Sequence, residues 1–282
     1  MTSERFWELV ELLGLGHRAD ELRTHSSEAL SVRASSAQGN ELDLCESKIG
    51  GLPDLPDEQI WPAIDRRPLS FIAQINLSQL PKFAERGLLP SYGILSFFYD
   101  AVNQPWGLIA QDRGKWKVLY FDTSSGISRR PAEVDANRCP QFEAYAMEFE
   151  PKITFSRPGL SAIKEVFVDV DELDMTYDQS YGLIEEFETV SEASLGHQLL
   201  GRPYALQEDM EPLCESLLGD GTVNEKRGEL PSISDWRLLL QISSDRKVGM
   251  EWGDAGYLYY WIKRDDLIRQ AFDKVRVFLQ CG

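Results

Sequence analysis

Four short segments recur in the same order in the two halves of the chain, and this recurrence constrains the fold more than any other sequence feature. The paired segments share glycine-proline turns, Gln-Ile endings, or runs of aromatic and β-branched residues. The aligned pairs are 51–53 with 201–203, 68–75 with 235–242, 93–99 with 256–262, and 115–121 with 274–280. An ordered set of this kind predicts two pseudo-equivalent β-rich halves that bury a common core. Chance similarity among generic strands is the alternative explanation.

The three longer pairs of segments are predicted to be strands, because they are aromatic and β-branched with turn residues at their ends. A further strand is predicted around Glu148–Phe155. Helices are predicted over 3–14, where Ser3 provides the N-cap, and over 177–193 and 208–218. The expected fold class is therefore α+β, with mainly antiparallel sheets and two pseudo-repeated halves with helical insertions.

The same pattern suggests a division of the chain. Residues 1–46 are expected to supply an N-terminal helix and a lead-in strand, although residues 31–46 are largely polar. Residues 47–160 form the first β-rich half, with a polar linker or long loop over 122–141. Residues 161–282 comprise an acidic helical segment followed by the second β-rich half. Together these parts are expected to form one compact domain.

Both halves resemble a known family. In the first half the resemblance lies in SKIGGLPDLP, WP, RPLSFIAQINLSQLP and GILSFFYD, and in the second half in GHQLLGRPYALQEDM, WRLLLQISSD, MEWGDAGYLYYWIKRDDL and FDKVRVFLQCG. These segments resemble the YwqG-like proteins, a bacterial domain of unknown function, over about residues 47–282. The resemblance implies an α+β fold with an internal repeat and brings no mechanism. Some genes of that family lie near toxin–immunity loci, which implies an interaction role by association only.

The charge balance argues against two classes of partner. The chain has 46 acidic and 29 basic residues, with a formal charge of −17, so it is expected to bind neither nucleic acid nor an anionic membrane. No segment has the length and apolarity of a membrane span, and the start lacks the features of a signal peptide, so a cytoplasmic location is expected. The four scattered cysteines predict reduced thiols, and neither a metal site nor a cofactor is predicted.

The acidic segment is the first candidate binding surface. Between Glu165 and Gly201 the chain has ten acidic residues and neither lysine nor arginine. Such a block faces water or a basic protein partner, and the solvated face of a helical insert is the alternative. The candidate partner-binding residues are Asp178, Glu185, Glu186, Glu188 and Glu192.

The second group of candidates would line a polar cleft between the halves. Gln74 and Gln241 occupy matching positions, where they could face a shared cleft or instead satisfy irregular backbone. His197 is a candidate pocket residue or a histidine packed in a turn. Trp252 and Asp254 lie in the segment EWGDAG, where the tryptophan offers a flat binding face and the two carboxylates could bind a cation or a hydrogen-bond donor. The alternative there is a hairpin turn with Trp252 in the core and an Asx-type hydrogen bond from Asp254.

The motifs GxSxG, HExxH and paired CxxC are absent from the sequence, and no catalytic residue is predicted. The leading hypothesis is therefore a non-enzymatic cytoplasmic interaction protein, with an immunity-like or adaptor role, that binds a basic partner through an acidic face. The alternative hypothesis is a small-molecule binder or an undescribed enzyme with a polar cleft between the two halves.

Overall fold

A computed structural model describes residues 1–38, 42–123, 126–132, 139–156, 195–207, 209–216 and 235–282. The α-helices are α1 Ser3–Leu12, α2 Ala19–His25, α3 Met210–Ser216 and α4 Arg264–Ile268. The strands are β1 Ser26–Gln38, β2 Lys48–Ile49, β3 Asp54–Pro56, β4 Ala63–Ile64, β5 Arg67–Pro68, β6 Ser70–Asn76, β7 Ile94–Tyr99, β8 Trp116–Phe121, β9 Ile127–Arg129, β10 Tyr145–Phe155, β11 His197–Leu199, β12 Trp236–Ser243, β13 Tyr257–Lys263 and β14 Arg276–Gln280.

Ten of these strands form one antiparallel sheet in the order β14-β13-β12-β11-β1-β10-β2-β6-β7-β8. Two small antiparallel pairs, β3 with β9 and β4 with β5, accompany it. The predicted α+β class with mainly antiparallel sheets is confirmed at this level. In the part of the chain that the structure describes, no helix is long and apolar enough to cross a membrane.

The strands predicted from the three longer recurring pairs are confirmed as β6, β7, β8, β12, β13 and β14, each within two residues at either end. The strand predicted around Glu148–Phe155 is the longer β10, and the helix predicted over 208–218 is α3. Helix α1 is also confirmed, but its N-cap is Thr2 and not Ser3, since the Thr2 hydroxyl accepts a hydrogen bond from the backbone N–H of Arg5. The helix predicted over 177–193 lies outside the described residues.

A lead-in strand is expected within residues 1–46, but the sequence did not reveal the length of β1 or its place at the centre of the sheet. Residues 31–46 were expected to be a polar stretch, whereas β1 runs for 13 residues from Ser26 to Gln38. It pairs with β10 on one side and with β11 on the other. Only a few apolar residues, such as Leu30 and Val32, are buried along it. Backbone pairing on both sides therefore stabilises a strand whose side chains carry a weak β signal.

The sheet has two wings, β2-β6-β7-β8 on one side of β1 and β10, and β14-β13-β12-β11 on the other. The two wings pack against each other through their inner faces. Phe97 of β7 and Tyr260 of β13 have ring centroids 5.1 Å apart in an edge-to-face contact. Both belong to one core cluster that draws buried residues from both halves of the chain. On the opposite face each wing has its own smaller cluster, one around Phe71 and Phe98 and the other around Trp261 beneath α3. The sheet is thus covered by apolar packing on both faces.

The two ends of the sheet come into contact. Trp116 at the start of β8 donates a hydrogen bond from its indole Nε1 to the carbonyl oxygen of Val275, just before β14, at 2.8 Å. The backbone N–H of Leu279 in β14 donates to the carbonyl oxygen of Trp106, in the segment before β8, at 3.3 Å. We call this contact between residues 106–116 and residues 275–279 the seam. It pairs one edge N–H of β14 that would otherwise be open to other chains.

Both wings carry the same irregularity. The β6–β7 ladder shifts register between Phe71 and Ala73, and the β12–β13 ladder shifts between Leu238 and Leu240. These positions correspond in the alignment of 68–75 with 235–242. A bulge of this kind locally bends and twists a strand pair. The duplication of the two halves is consistent with these bulges and stays a prediction.

We expect Gly107→Ala to destabilise the protein strongly, because a Cβ atom at Gly107 would overlap the carbonyl oxygen of Val277 across the seam. Gly249→Ala is the matched control, because Gly249 also has a positive φ (81°, against 78° at Gly107) but its Cβ would enter open space. The control is expected to cost about 1 kcal/mol, and Gly107→Ala roughly 3 kcal/mol or more. Urea unfolding of both variants measures the difference, and equal costs would contradict the close approach at the seam.

Candidate functional site

Gln74 is completely buried in β6 and its amide group is fully used within the first half. Its Oε1 accepts a hydrogen bond from the backbone N–H of Asp54 at 2.9 Å. Its Nε2 donates to the carbonyl oxygen of Glu46 and to Oδ2 of Asp54, both at 2.8 Å. Such a side chain connects two irregular segments to a strand, and all its hydrogen-bonding capacity toward a ligand is spent.

Gln241 plays a corresponding part in β12. Its Oε1 accepts from the backbone N–H of Tyr204 and its Nε2 donates to the carbonyl oxygen of Gly196, both at 2.9 Å. The two glutamines thus bond backbone groups at equivalent positions relative to the aligned glycines, Gly51 and Gly201. Each accepts from the N–H three residues after its glycine and donates to the carbonyl five residues before it. The hypothesis that the two glutamines satisfy irregular backbone accounts for these contacts.

His197 lies in β11 with 5% of its surface exposed. Its Nδ1 accepts a hydrogen bond from the backbone N–H of Ser243 at 3.1 Å, so the proton is on Nε2, which lies 3.2 Å from Oδ2 of Asp245. The hydrogen bond from His197 lowers the pKa of Asp245 below its usual value. In the other half Ser47, the residue aligned with His197, accepts from the backbone N–H of Asn76 at 2.8 Å. The contacts with Ser243 and Asp245 thus fix the orientation of the imidazole ring within the fold.

Trp252 is completely buried in the core between the wings. Its ring makes edge-to-face contacts with Tyr99 and Phe142, with centroids 5.8 Å apart in both cases. The aromatic face that the sequence suggested for ligand binding is therefore covered by other aromatic rings. Trp252 contributes to the packing of the two halves.

Asp254 lies in an exposed turn, as the hairpin alternative proposed, but it does not make the predicted Asx-type bond. The turn is closed by the backbone N–H of Gly256, which donates to the carbonyl oxygen of Trp252 at 2.8 Å. The carboxylate that caps it belongs to Glu251, whose Oε1 accepts from the backbone N–H of Ala255 at 3.0 Å. In the described part of the chain the Asp254 side chain has no hydrogen-bond partner.

The five candidate partner-binding residues of the acidic segment lie outside the described residues. They are Asp178, Glu185, Glu186, Glu188 and Glu192. Within the described ranges, no group of three or more His, Cys, Asp or Glu side chains is arranged to hold a metal ion.

A buried ionic cluster, which the sequence analysis missed, holds the first half together. Asp54 is completely buried and accepts hydrogen bonds from Lys48 Nζ at 2.8 Å and from Arg129 Nε at 2.7 Å. Although burial alone would raise the pKa of Asp54, the hydrogen bonds from these two cations hold it below its usual value. Burial lowers the pKa of Lys48 to about 8. Arg129 lies in the segment 122–141, which was predicted to be a linker, and there it forms β9 against β3.

A cavity of about 680 Å³ lies along the seam, between the outer faces of the two wings. Its walls come from both halves of the chain, and we call it the seam groove. Trp61, Leu69 and Leu119 line it from the first half, and Trp236 and Val275 from the second. None of the five sequence-predicted ligand residues, Gln74, Gln241, Trp252, Asp254 and His197, lines this cavity.

Three tryptophans line the seam groove, and the N–H group of each is already bonded within the protein. Trp61 donates to the carbonyl oxygen of Leu69 at 3.0 Å, and Trp116 to that of Val275 at 2.8 Å. Trp236 donates to Oε1 of Glu215 at 2.8 Å. Because these donors are used, the half-buried indoles of Trp61 and Trp116 offer ring surface to a ligand and no hydrogen bond, whereas Trp236 is buried.

The seam groove is basic although the chain is acidic. Five basic and two acidic side chains line it: Arg113, Lys117, Lys263, Lys274 and Arg276, with Asp266 and Asp273. Two of the basic residues are in ion pairs, Lys263 with Glu215 at 3.2 Å and Lys274 with Asp266 at 2.6 Å. By side-chain type, basic residues therefore outnumber acidic residues in the lining of the groove.

Two cations also lie over the same ring at the side of the groove. Nζ of Lys263 is 5.5 Å and Cζ of Arg276 is 5.7 Å from the centroid of the Trp236 ring. Burial lowers the pKa of Arg276, while among the neighbouring charges Arg113 lowers that pKa and Glu215 raises it.

One sequence signal could have revealed these residues. The alignment of KWKVLYF with KVRVFLQ places Lys117 opposite Arg276, so a basic residue recurs at the same position of both edge strands. The meeting of those two strands was not visible in the sequence, because it joins residues 159 positions apart, such as Trp116 and Val275.

A family model described as a domain of unknown function, DUF1963, matches residues 47–281. The match begins at the boundary predicted for the first β-rich half. No curated protein matches the chain. The match supports membership in a family of unknown function, and the YwqG-like assignment stays a prediction.

We expect Gln74→Leu and Gln241→Leu to destabilise the protein by similar amounts, on the order of 2 to 4 kcal/mol each. Each substitution removes the partner of a backbone N–H and of a backbone carbonyl that are buried or partly buried. Gln111→Leu, at an exposed position, is the control and is expected to change stability by no more than about 0.5 kcal/mol. Chemical denaturation measures all three, and near-neutral values for the buried pair would show that the two amides are not structural.

Proposed function

The chain belongs to the DUF1963 family, and we propose that it binds a small organic molecule in the seam groove. The observation that carries the proposal is a cavity of about 680 Å³ whose walls come from both halves of the chain. Small-molecule sites commonly have volumes of roughly 300 to 1,000 Å³, with largely apolar walls and a few convergent polar groups. Small-molecule binding is the alternative hypothesis from the sequence, and here different residues form the proposed binding site.

The composition of the groove favours binding over nucleophilic catalysis. Among the described residues that line it, the ionisable groups are all aspartate, lysine or arginine, without serine, cysteine, histidine or tyrosine. Nucleophilic catalysis commonly uses a hydroxyl or thiol next to a general base. The walls supply ring surface and fixed charge, which orient a bound molecule.

We also propose that the groove lies between two pseudo-repeated halves. The proposal is supported by the matched register shifts of β6–β7 and β12–β13 and by the matched hydrogen bonds of Gln74 and Gln241. The seam then joins equivalent edge strands, β8 of one half and β14 of the other. Similar costs of the two glutamine substitutions are the expected result, and widely different costs would count against the duplication.

The binding proposal predicts a defined pattern in a fragment screen followed by ¹H–¹⁵N spectra of the tryptophan indoles. Fragments that bind the seam groove are expected to shift the indole resonances of Trp61 and Trp116. The indoles of Trp7 and Trp252 serve as internal controls, since they do not line the groove. Substitution of each tryptophan by phenylalanine assigns the resonances.

A pair of variants locates the binding. Ala63→Trp fills the groove from an exposed lining position and is expected to abolish the shifts. Val102→Trp adds the same ring at an exposed position outside the groove and is expected to leave them unchanged. A screen in which no fragment shifts Trp61 or Trp116, or in which Ala63→Trp has no effect, would refute the proposal.

A second proposal concerns the acidic segment. We propose that residues 165–192 bind a basic protein, in an immunity-like or adaptor role, because ten acidic residues occur there without a lysine or arginine. Its support is the sequence alone.

Charge reversal tests the second proposal. The triple variant Glu185→Lys, Glu186→Lys and Glu188→Lys is expected to lose partners that the parent captures from a cell lysate at low salt. The control reverses Glu4, Glu8 and Glu11, three exposed acids of the N-terminal helical region, and changes the net charge equally. Equal loss in both variants would indicate a general charge effect, and unchanged capture in the first would contradict the proposal.

A further inference from the structure

We propose that the seam groove binds an uncharged aromatic molecule of about two fused rings, an inference that rests on the proposed function. Trp61, Trp116 and Ile60 line the groove and provide the surface that contacts the ring. The charged side chains of the lining do not select the ligand, because most of them already have partners within the protein. A molecule of this size fits within a cavity of about 680 Å³.

The two half-buried tryptophans of the groove are held in fixed orientations. Trp61 donates its N–H to the carbonyl oxygen of Leu69 and makes an edge-to-face contact with Phe98, with ring centroids 5.5 Å apart. Trp116 donates its N–H to the carbonyl oxygen of Val275. Rings that are already oriented lose little conformational freedom when a ligand binds, and with their N–H groups used they offer it only their π surface.

Most of the basic side chains that line the groove already have partners. Lys263 pairs with Glu215 at 3.2 Å, and Lys274 pairs with Asp266 at 2.6 Å. The two arginines of the lining also interact within the chain. An anionic ligand would therefore have to compete with the partners that these four side chains already have.

Lys117 and Asp273 are the remaining charged side chains of the lining, and they have opposite signs. Both are exposed, and neither has an ion-pair partner among the described residues. Together they add no net charge to the groove. Moving a charged group out of water is costly unless an opposite charge meets it, so these walls favour an uncharged ligand.

The apolar walls account for the aromatic character of the ligand. Ile60, which is 84% exposed, and the half-buried Trp61 and Trp116 give the groove apolar surface in contact with water. Any apolar molecule gains by covering such surface. An aromatic ring gains further from its contacts with the indoles, by roughly two- to tenfold in affinity over a saturated ring of the same skeleton.

Naphthol and decahydronaphthol provide a matched pair of probes, since both are uncharged alcohols with the same ring skeleton and only naphthol is aromatic. Each is titrated into the full chain, and its affinity is measured from the indole resonances of Trp61 and Trp116. Naphthol is expected to bind about three- to tenfold more tightly. Equal affinities, or tighter binding of decahydronaphthol, would overturn the aromatic assignment.

Naphthoate and naphthylmethylammonium test the absence of charge recognition, because they carry a negative and a positive group on the same aromatic rings. Neither is expected to bind more tightly than naphthol. The affinity of naphthol is expected to be the same at low and physiological salt, and in the variant Lys117→Gln, because screening acts only on charged groups. Tighter binding of either ion than of naphthol would overturn the assignment of an uncharged ligand.

Ile60→Ser tests the position of the ring without endangering the fold, because the Ile60 side chain is largely exposed. The variant loses apolar surface at the groove and is expected to bind naphthol roughly threefold more weakly or worse. Ile109→Ser is the matched control, since it removes the same side chain at an exposed position outside the groove. The control is expected to keep the parent affinity, and the inference fails if the two variants behave alike.

The outcomes separate this inference from the proposed function. If saturated or charged fragments shift the Trp61 and Trp116 indoles and naphthol binds no more tightly than they do, the groove binds small molecules and the uncharged aromatic assignment is wrong. If no fragment shifts these indoles, both proposals fail. Tighter binding of naphthol than of the other three probes, with the expected loss in Ile60→Ser, supports both.

Discussion

The contact at the seam between the two ends of the sheet is the constraint on which the rest of the structure depends. The sheet has ten strands with β8 and β14 at its edges, and the segments beside these two strands meet through the hydrogen bonds from Trp116 to Val275 and from Leu279 to Trp106. The closure brings the inner faces of the two wings together, so that Phe97 and Tyr260 share one core. It also creates the seam groove on the outside. Stability and the candidate binding site thus have the same physical origin.

Buried polar side chains then fix the irregular segments that border the strands. Gln74 and Gln241 pair with backbone groups that would otherwise be buried without partners. In the first half Asp54 adds an ionic cluster, with Lys48 and Arg129 as its two cations. Breaking such a pair would leave an uncompensated charge in the interior, so these residues confine β3 and β9 to one arrangement. Their polar groups are used for the fold.

By itself the sequence determined the antiparallel class, the α1 helix and the six strands of the three longer recurring pairs. Those features depend on alternation, β-branched and aromatic content and turn residues, which act over a few positions. Only the tertiary structure decided the length and central place of β1, the place of Arg129 beside Asp54, and the seam groove. Strand β1 depends on pairing with two other strands. Arg129 and Asp54 are 75 positions apart in the sequence, and Trp116 and Val275 at the seam are 159 positions apart. Local propensity carries no record of such partners, because they become neighbours only when the sheet has closed.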